Sequence, residues 1–239
     1  MERLSSISAF FPAYNEEENV AGMVERLRGV LPRVADAWEI IVVDDGSRDG
    51  TAAIADRLAA ADARVRVVHH PTNRGYGGAL KSGFAASRHA WVFFTDGDGQ
   101  FDVGEIDRLA ALVPAADIAV GYRLERAEGA LRRLNAAAWN WLVRLLFRFR
   151  VRDVDCAFKL IDRTVLERVH PEADGAMIST ELLARAARAG FRIAEVGVHH
   201  YPRQHGHPTG ANPLVIARAF YELGKLYRRI TATEGARRA

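Results

Sequence analysis

The run WEIIVVDDG at residues 38–46 is the sequence feature that most constrains the fold. It is almost continuously apolar and β-branched, which is typical of a strand buried on both faces of a parallel sheet. Similar runs alternate with stretches of helical spacing along the chain: ISAFFPAYN, VRVVHH, AWVFFTD, ADIAVGYR and FRIAEVGVHHYP. This alternation predicts βαβ units and therefore an α/β fold, with a mostly parallel central sheet flanked by helices.

Polar clusters follow the first four predicted strands. They span Pro12 to Glu16, Asp44 to Ser47, Asn73 to Gly75 and Asp96 to Gln100. In an open parallel sheet, ligands bind outside the carboxyl ends of the strands. The sequence therefore predicts a ligand site at this edge of the sheet.

Length and composition narrow the class of protein. A chain of 239 residues, 49% of them hydrophobic, can bury one large core. We expect one domain over residues 1–212, followed by an amphipathic helix and a loose tail over 213–239. A single cysteine, Cys156, excludes an internal disulfide and fits a reducing compartment. The sequence shows no signal-peptide pattern and no apolar run of about 18 residues, so we expect a soluble or peripherally bound cytoplasmic protein.

Asp96 and Asp98 lie directly after the apolar run WVFFT, separated by Gly97. Two carboxylates with this spacing can point from a strand end towards one ligand, and the glycine leaves room for its approach. Hard oxygen ligands select Mg²⁺ or Mn²⁺, and Mg²⁺ usually combines one or two carboxylates with water and substrate phosphates. The pattern predicts a metal–diphosphate site with Gln100 as a neutral ligand. An acidic turn chosen for its geometry is the alternative.

Asp44, Asp45 and Ser47 follow the second predicted strand. A carboxylate there can accept hydrogen bonds from a ribose or a base, but an N-cap of the next helix would also explain Asp45 or Ser47. Glu16 has the simpler explanation of a first-turn acid favoured by the helix dipole. The segment NRGYGGALKSGF fits neither a P-loop nor GxGxxG, so close packing of small residues is the alternative to a phosphate loop.

Taken together, the four clusters resemble those of family-two inverting glycosyltransferases. The matching stretches are FFPAYNEEENV, IIVVDDGSRDGT, NRGYGGALKSGF and FFTDGDGQFD. Four further stretches resemble the polyprenyl- and dolichyl-phosphate sugar synthases within that family: GYR at 121–123, LRRLNAAAWNWLVRLLF, DVDCAFKLIDRTVLE and YPRQHGHPTG. The likeness runs from about residue 7 to about residue 215 and implies a nucleotide-diphospho-sugar transferase fold, Rossmann-like and of GT-A type.

The resemblance also implies roles for individual residues. The donor-binding set is Pro12, Tyr14, Glu16, Asp44, Asp45, Ser47, Gly75, Asp96 and Gly97, of which Pro12, Tyr14, Glu16 and Asp45 match the family's nucleoside contacts. The metal ligands are Asp96, Asp98 and Gln100. The residues expected near the acceptor phosphate are Arg123, Arg132, Lys159 and Arg203. The catalytic set is Asp98, Arg123, Arg132 and Glu181. Relatives often show Gly-x-Ser-Lys where this chain has Arg203, His205 and His207.

The implied reaction is metal-dependent, inverting transfer of a hexose from UDP- or GDP-hexose to a polyprenyl (dolichyl-type) phosphate. A phosphate monoester, with a second pKa of about 6, is already ionised at neutral pH and requires orientation instead of a base. A sugar-hydroxyl acceptor would require a base, and Glu181 lies where such relatives have theirs. Glu181 is otherwise a site carboxylate or an ordinary first-turn helix acid. A nucleotide-binding module without turnover is the alternative of a different class.

The segment 123–152 holds eight arginines and two glutamates, although the whole chain has a net charge of only +3. Its leucines recur at helical spacing and predict a buried face, but its interleaved aromatic residues and arginines also suit a helix on an anionic membrane surface. Nucleic-acid binding is not supported, because no recognised motif accompanies the arginines. The C-terminal segment PLVIARAFYELGKLYRRI has three open roles: docking on the enzyme, self-association as a homo-oligomer, or membrane contact.

Overall fold

The computed structural model describes residues 3–124, 139, 141–147, 151–203 and 222–230. Its strands are Leu4–Ala13 (β1), Ala35–Asp44 (β2), Val65–His69 (β3), Trp91–Thr95 (β4), Ile118–Arg123 (β5), Phe158–Asp162 (β6) and Ile193–Val198 (β7). They form one seven-stranded sheet in the order β3-β2-β1-β4-β6-β5-β7. All pairings are parallel except those of β6, which runs antiparallel to β4 and β5. The predicted α/β fold with a mostly parallel sheet is confirmed.

Helices cover the sheet. They are Val20–Val34 (α1), Thr51–Ala61 (α2), Gly75–Ala86 (α3), Ile106–Ala110 (α4), 141–147 (α5), Arg163–Arg168 (α6), Met177–Arg188 (α7) and 222–230 (α8). The first helix packs against α2 and α4, while α3 packs against α7. The apolar spacing predicted for α1 is the face it buries: Val20, Met23, Val24, Leu27 and Leu31 all have 1% exposure or less. Among the described residues, none of the helices is both long enough and apolar enough to span a bilayer.

Strand β6 is the one strand that the sequence did not predict. Its second residue, Lys159, interrupts the apolar run, yet the side chain is completely buried. The ammonium donates to the carbonyl oxygens of Val154, at 3.1 Å, and Cys156, and it lies 5.3 Å from the ring centroid of Phe94. Because these carbonyls replace water, a lysine can be accommodated in a buried strand. Burial lowers the pKa of Lys159.

Cys156 lies in the turn that Lys159 holds. Its side chain is fully buried, and burial raises the pKa of the thiol to about 12. A protonated and inaccessible thiol reacts slowly with electrophiles. The interpretation of Cys156 as a small buried residue is therefore confirmed.

The glycines of α3 allow close packing, which was the alternative to a phosphate loop in the interpretation of the sequence. A Cβ added at Gly83 would lie 2.2 Å from a ring carbon of Phe10, and one added at Gly77 would lie 2.4 Å from the carbonyl oxygen of Ala173. Phe10 is completely buried and packs edge-on against Phe84, with ring centroids 5.2 Å apart. The helix can therefore approach the sheet only where it has no side chain.

We expect Gly83→Ala to destabilise the fold by about 1–3 kcal/mol, because the added methyl group overpacks the site around Phe10. Gly29→Ala on α1 is the matched control, since a Cβ there meets nothing within 4 Å. The control should gain about 1 kcal/mol from helix propensity alone. Urea unfolding of both variants measures the difference. Equal stabilisation of the two would contradict the packing role of Gly83.

Helix α8 docks on the rest of the fold through three buried apolar side chains, those of Leu223, Leu226 and Ile230. Arg188 of α7 donates to the carbonyl oxygen of Ile230 at 3.2 Å. Arg229 pairs with Glu172 at 3.0 Å. Docking is thus the arrangement observed for residues 222–230 among the three roles that the sequence left open.

Candidate active site

A cavity of about 760 Å³ opens at the carboxyl ends of β1, β2 and β4. From the end of β1, the lining residues include Pro12, Tyr14 and Glu16. The ends of the neighbouring elements add Asp45, Gly75, Asp96 and Gly97. Most of the predicted donor-binding set is therefore brought to one cavity, at the edge of the sheet where the polar clusters placed it.

Asp44 and Ser47, which were predicted to bind the donor, do not line this cavity. The carboxylate of Asp44 accepts the Ser47 N–H at 3.0 Å and faces His69 Nδ1 at 2.9 Å, and these contacts hold the pKa of the carboxyl low against the effect of burial. The hydroxyl of Ser47 accepts the backbone N–H of Asn15 at 3.0 Å. Both side chains therefore fix the loop. Neither caps α2, whose first turn is capped by Asp49 through the Thr51 N–H at 3.0 Å.

Asp96 and Asp98 form the acidic wall of the cavity. Burial, and then the charge of Asp98, raise the pKa of Asp96 to about 7, while a hydrogen bond from Tyr76 opposes the rise. Burial raises the pKa of Asp98, and the N–H of Gln100 and the charge of Arg203 oppose this. Burial and the neighbouring Asp96 raise the pKa of Tyr76 well above its usual value. The wall therefore holds two carboxylates whose ionised forms are only partly compensated by the nearby cations.

This donor set fits a divalent cation. Two half-buried carboxylates facing one cavity are stabilised in their ionised form by a nearby positive charge. Mg²⁺ usually takes one or two carboxylates and completes its coordination with water and substrate phosphates. Within the described part of the chain, no group of three or more His, Cys, Asp and Glu side chains could hold a metal ion. The ligands that fit best are Asp96 and Asp98.

Gln100 connects the acidic wall to the segment after β7. Its Nε2 donates to the carbonyl oxygen of Tyr201 at 2.9 Å, and the Tyr201 N–H donates to the Gln100 carbonyl at 2.8 Å. Its own N–H donates to Asp98 at 3.1 Å. A β-bridge between Phe101 and His200 continues the pairing. The observed role of Gln100 is this connection, and ligation of a metal through Oε1 stays a prediction.

Arg203 reaches the cavity at the end of this paired segment. Its guanidinium forms an ion pair with Glu16, which comes from the end of β1. Both residues line the cavity. The predicted loop residue therefore lies beside the predicted nucleoside and metal residues, although almost the whole chain separates them in sequence.

Arg123 ends β5 and is held by Asp153. Its Nε and Nη2 donate to the two carboxylate oxygens of Asp153 at 2.7 and 2.9 Å, and Asp153 is buried. A bidentate pair of this kind fixes the plane of the guanidinium. The charges of Arg123 and Lys159 also oppose the rise in the pKa of Asp96, so both cations lie near the acidic wall. Lys159 itself is occupied by backbone carbonyls, and Arg132 lies outside the described residues.

Glu181 does not line the cavity. Its carboxylate is fully buried and accepts the N–H groups of Glu172 and Ala173 at 2.9 and 2.8 Å. Arg185 pairs with it at 2.7 Å. A carboxylate already occupied by three donors, and without exposed surface, holds the turn before α7 in place. It is neither a solvated first-turn acid nor a group that faces the cavity.

The sequence matches a protein-family model. The model described as Glycosyl transferase family 2 matches residues 8–169, which is more than half of the chain. The chain belongs to glycosyl transferase family 2. The resemblance seen in the sequence, and with it the expectation of a glycosyltransferase, is confirmed at the level of the family.

Several curated family-2 relatives are similar over most of the chain. Glycosyltransferase AglD of Haloferax volcanii is 39% identical over 209 residues, which are 82% of this chain and 33% of that protein. Polyprenol monophosphomannose synthase of Mycolicibacterium smegmatis is 34% identical, over 82% of this chain and 77% of that protein. Dolichyl-phosphate beta-glucosyltransferase ALG5C of Trichomonas vaginalis is 31% identical, over 78% and 61%. The chain thus spans a third of the first of these relatives and less than two thirds of the last.

Solved structures show the same fold. Glucosyl-3-phosphoglycerate synthase from Mycobacterium tuberculosis in complex with phosphoglyceric acid has a TM-score of 0.66 at 24% identity, covering 96% of this chain and 78% of that one. The same synthase in complex with Mn²⁺ and UDP-glucose has a TM-score of 0.64 at 23% identity, covering 98% and 79%. This likeness confirms the GT-A type fold.

Some residues of the cavity were not predicted from the sequence. Tyr76, Asp155 and Ser179 line the cavity. Tyr76 lies in the glycine-rich segment NRGYGGALKSGF, and Asp155 lies two residues after Asp153, which binds Arg123. Tyr76 could have been predicted to line the site from its position in the first turn of a helix that starts at the carboxyl edge of the sheet. Ser179 carried no signal, because one serine in an apolar helix is common.

Proposed function

We propose that the protein transfers a hexose from a nucleotide-diphosphate sugar to a polyprenyl-type lipid phosphate, with Mg²⁺ or Mn²⁺. Support comes from membership of glycosyl transferase family 2 and from relatives whose names specify dolichyl- or polyprenyl-phosphate substrates. The donor is UDP- or GDP-hexose and occupies the cavity lined by Tyr14, Glu16 and Asp45. Its diphosphate lies against the wall formed by Asp96 and Asp98.

The observation that carries the choice of acceptor is the burial of Glu181. A hydroxyl acceptor loses a proton as it attacks, so it requires a base within hydrogen-bond reach. The carboxylate of Glu181 has no exposed surface and binds two N–H groups and Arg185. A phosphate acceptor is already ionised at neutral pH and does not require this group.

The proposed reaction is one displacement at the anomeric carbon. An oxygen of the lipid phosphate forms a bond to this carbon while the bond to the donor diphosphate breaks, and the electron pair leaves with the nucleoside diphosphate. No proton moves in this step. Asp96 and Asp98 would hold the divalent cation, which stabilises the charge that develops on the leaving diphosphate. Inversion follows from attack opposite to the leaving group.

The arginines orient the acceptor. A guanidinium forks onto two oxygens of a phosphate and remains charged throughout. Arg123 has its plane fixed by Asp153, and Arg203 stands at the cavity beside Glu16. Arg132 is proposed as a further contact. Lys159 acts indirectly, by holding the turn that carries Asp155 next to the cavity.

The test is a reconstituted reaction. The protein is incubated with Mn²⁺ or Mg²⁺, UDP- or GDP-hexose and a polyprenyl phosphate, and the glycolipid is identified by mass spectrometry. Parallel reactions contain EDTA, or replace the lipid with a methyl glycoside as hydroxyl acceptor. The proposal expects a phosphate-linked glycolipid that EDTA abolishes. Sugar transfer to the glycoside but not to the lipid phosphate would overturn it.

Glu181→Gln separates the two acceptor mechanisms. We expect this variant to lose about 1–3 kcal/mol of unfolding free energy, because the charged hydrogen bonds to the 172–173 turn and the pair with Arg185 weaken. The transfer rate per folded molecule should fall by less than about 10-fold, since no proton transfer depends on this carboxylate. Urea unfolding and initial rates measure the two effects. A loss of several orders of magnitude in rate would support Glu181 as a base.

We further propose that α5 rests on the membrane surface that carries the acceptor. Trp141 and Leu145 lie one turn apart and are 60% and 59% exposed, while Val143 and Phe147 are buried. Arg144 is exposed between them. Exposed aromatic and aliphatic side chains next to a cation suit the boundary of an anionic lipid layer.

Replacing Leu145 with Glu is expected to weaken binding to phosphatidylglycerol vesicles by at least about 10-fold, because an apolar side chain no longer enters the lipid layer. Ala21→Glu on α1 adds the same charge to an exposed position elsewhere and should have little effect. Vesicle co-sedimentation compares the two variants. Equal losses would attribute the effect to net charge and contradict a specific role of α5.

A further inference from the structure

His70 is a buried histidine that the proposed reaction has not so far required. It follows the last residue of β3, and its backbone N–H donates to the carbonyl oxygen of Asp44 at 2.9 Å. Nδ1 lies 2.6 Å from Oδ1 of Asp45, and Nε2 lies 2.8 Å from the hydroxyl oxygen of Ser82 on α3. The ring therefore connects a helix of the covering layer to a carboxylate that lines the cavity.

The partners fix the positions of the protons. A carboxylate only accepts hydrogen bonds, so Nδ1 of His70 carries a proton and donates it to Asp45. In the neutral ring Nε2 is then an acceptor, and the Ser82 hydroxyl donates to it. The hydroxyl on α3 can donate as well as accept, so it satisfies Nε2 in the tautomer that Asp45 requires.

Asp45 has further donors, which limit what it can offer to a ligand. Oδ1 accepts the Arg74 N–H at 2.8 Å in addition to His70, and Oδ2 accepts the Gly75 N–H at 2.9 Å. A carboxylate has about four acceptor sites, two on each oxygen. Oδ1 is therefore fully used, and one acceptor site remains on Oδ2. Asp45 is only 3% exposed and lines the cavity. The remaining acceptor site on Oδ2 is therefore accessible only to a ligand in the cavity.

We infer that His70 is a positioning residue: together with Ser82 it holds Asp45 so that one acceptor, on Oδ2, is offered to the nucleoside of the donor. This inference rests on the proposed function, because it requires a nucleotide in the cavity. A single acceptor matches the single imide N–H of uracil. Guanine presents adjacent N1–H and N2–H donors, which a carboxylate binds with both oxygens, and Oδ1 is occupied. The arrangement therefore selects UDP over GDP.

The experiment measures the Kd of UDP and of GDP by calorimetry in the presence of Mn²⁺. The proteins are the wild type, His70→Leu, His70→Asn and Ser82→Ala. Loss of a hydrogen bond to a charged group corresponds to a roughly 10- to 100-fold weaker complex, which we expect of UDP with His70→Leu. His70→Asn keeps a donor and should recover most of the affinity. Ser82→Ala removes only the outer hydrogen bond and should lose about 2- to 10-fold.

Kinetics distinguish positioning from a general loss of structure. With UDP-hexose as donor, KM should rise in parallel with Kd while kcat at saturating donor changes little. His89→Leu is the matched control, because His89 lies just before β4 and is not among the residues that line the cavity; its backbone N–H donates to the Ser8 hydroxyl in the middle of β1. Its UDP affinity should equal that of the wild type.

The binding results distinguish a failure of this inference from a failure of the proposed function. If the wild type binds neither UDP nor GDP, the proposed function fails and the inference fails with it. If the wild type binds UDP and His70→Leu binds it equally well, the inference fails alone. It also fails if the wild type prefers GDP, or if His70→Asn is as weak as His70→Leu. If His70→Leu does not fold, an unchanged UDP affinity of Ser82→Ala overturns the inference.

Discussion

Replacing Asp98 with Asn is expected to lower the rate of sugar transfer by about 100- to 1,000-fold, the loss typical of removing one group that stabilises charge in a transition state. The side chain keeps its shape, but it no longer provides an anionic ligand next to Asp96. The diphosphate would then leave without full compensation of its charge. Initial rates at saturating Mn²⁺ and donor measure the effect. Asp107→Asn, at an exposed position on α4, is the matched control and should leave the rate unchanged.

The same variant has an expected effect on stability that does not depend on activity. Burial raises the pKa of both Asp96 and Asp98, so their ionised forms destabilise the metal-free fold at neutral pH. Asp98→Asn removes one of the two charges and should raise Tm in EDTA. Mn²⁺ should raise Tm of the wild type and have little effect on the variant. A variant that retains the wild-type rate and the wild-type response to Mn²⁺ would contradict a metal site at Asp98.

Most strands of the fold could be predicted from local patterns in the sequence. Strand β2 was predictable because a run such as IIVV can be buried on both faces only inside a covered parallel sheet. Strand β6 was not, since its lysine is tolerated only where two carbonyl oxygens from the preceding turn meet the ammonium. That compensation depends on the conformation of residues 154–156, which no periodicity in the sequence encodes.

The site was predictable to the level of the strand end but not to the level of the side chain. Asp44 and Asp45 are neighbours, yet only Asp45 lines the cavity, while Asp44 binds its own loop and His69. Which of two adjacent carboxylates faces a ligand depends on the loop conformation after the strand. The sequence fits either choice equally well, so both residues were predicted as ligand contacts.

Contacts between distant segments account for the rest. Glu181 is buried because the 172–173 turn folds back onto it with two N–H groups. Gln100 turns towards Tyr201 because the segment after β7 pairs with the acidic wall. Both features require tertiary structure, so the sequence left the role of Glu181 open between a base, a site carboxylate and a helix acid, and it could not show the contact of Gln100 with Tyr201.

Arg123→Ala is expected to lower kcat/KM for the polyprenyl phosphate by about 100- to 1,000-fold, because the acceptor phosphate loses a pre-oriented bidentate partner. Donor binding should be nearly unchanged, since Arg123 is not among the residues that line the cavity. Rates at varied lipid phosphate and calorimetric titration with nucleotide measure the two quantities. Arg192→Ala is the matched control, because Arg192 forms a comparable pair with Asp117 at an exposed site.

Asp153 provides a second test of the role of Arg123, because it orients Arg123 and does not itself line the cavity. Asp153→Asn should reduce kcat/KM for the lipid phosphate less than Arg123→Ala does, and the double variant should be no worse in activity than Arg123→Ala alone. Such coupling is expected of residues that act as one unit. Breaking the buried pair should also cost about 3–5 kcal/mol of unfolding free energy, so rates are compared per folded molecule. Independent, additive losses in activity would show that Asp153 does not act through Arg123.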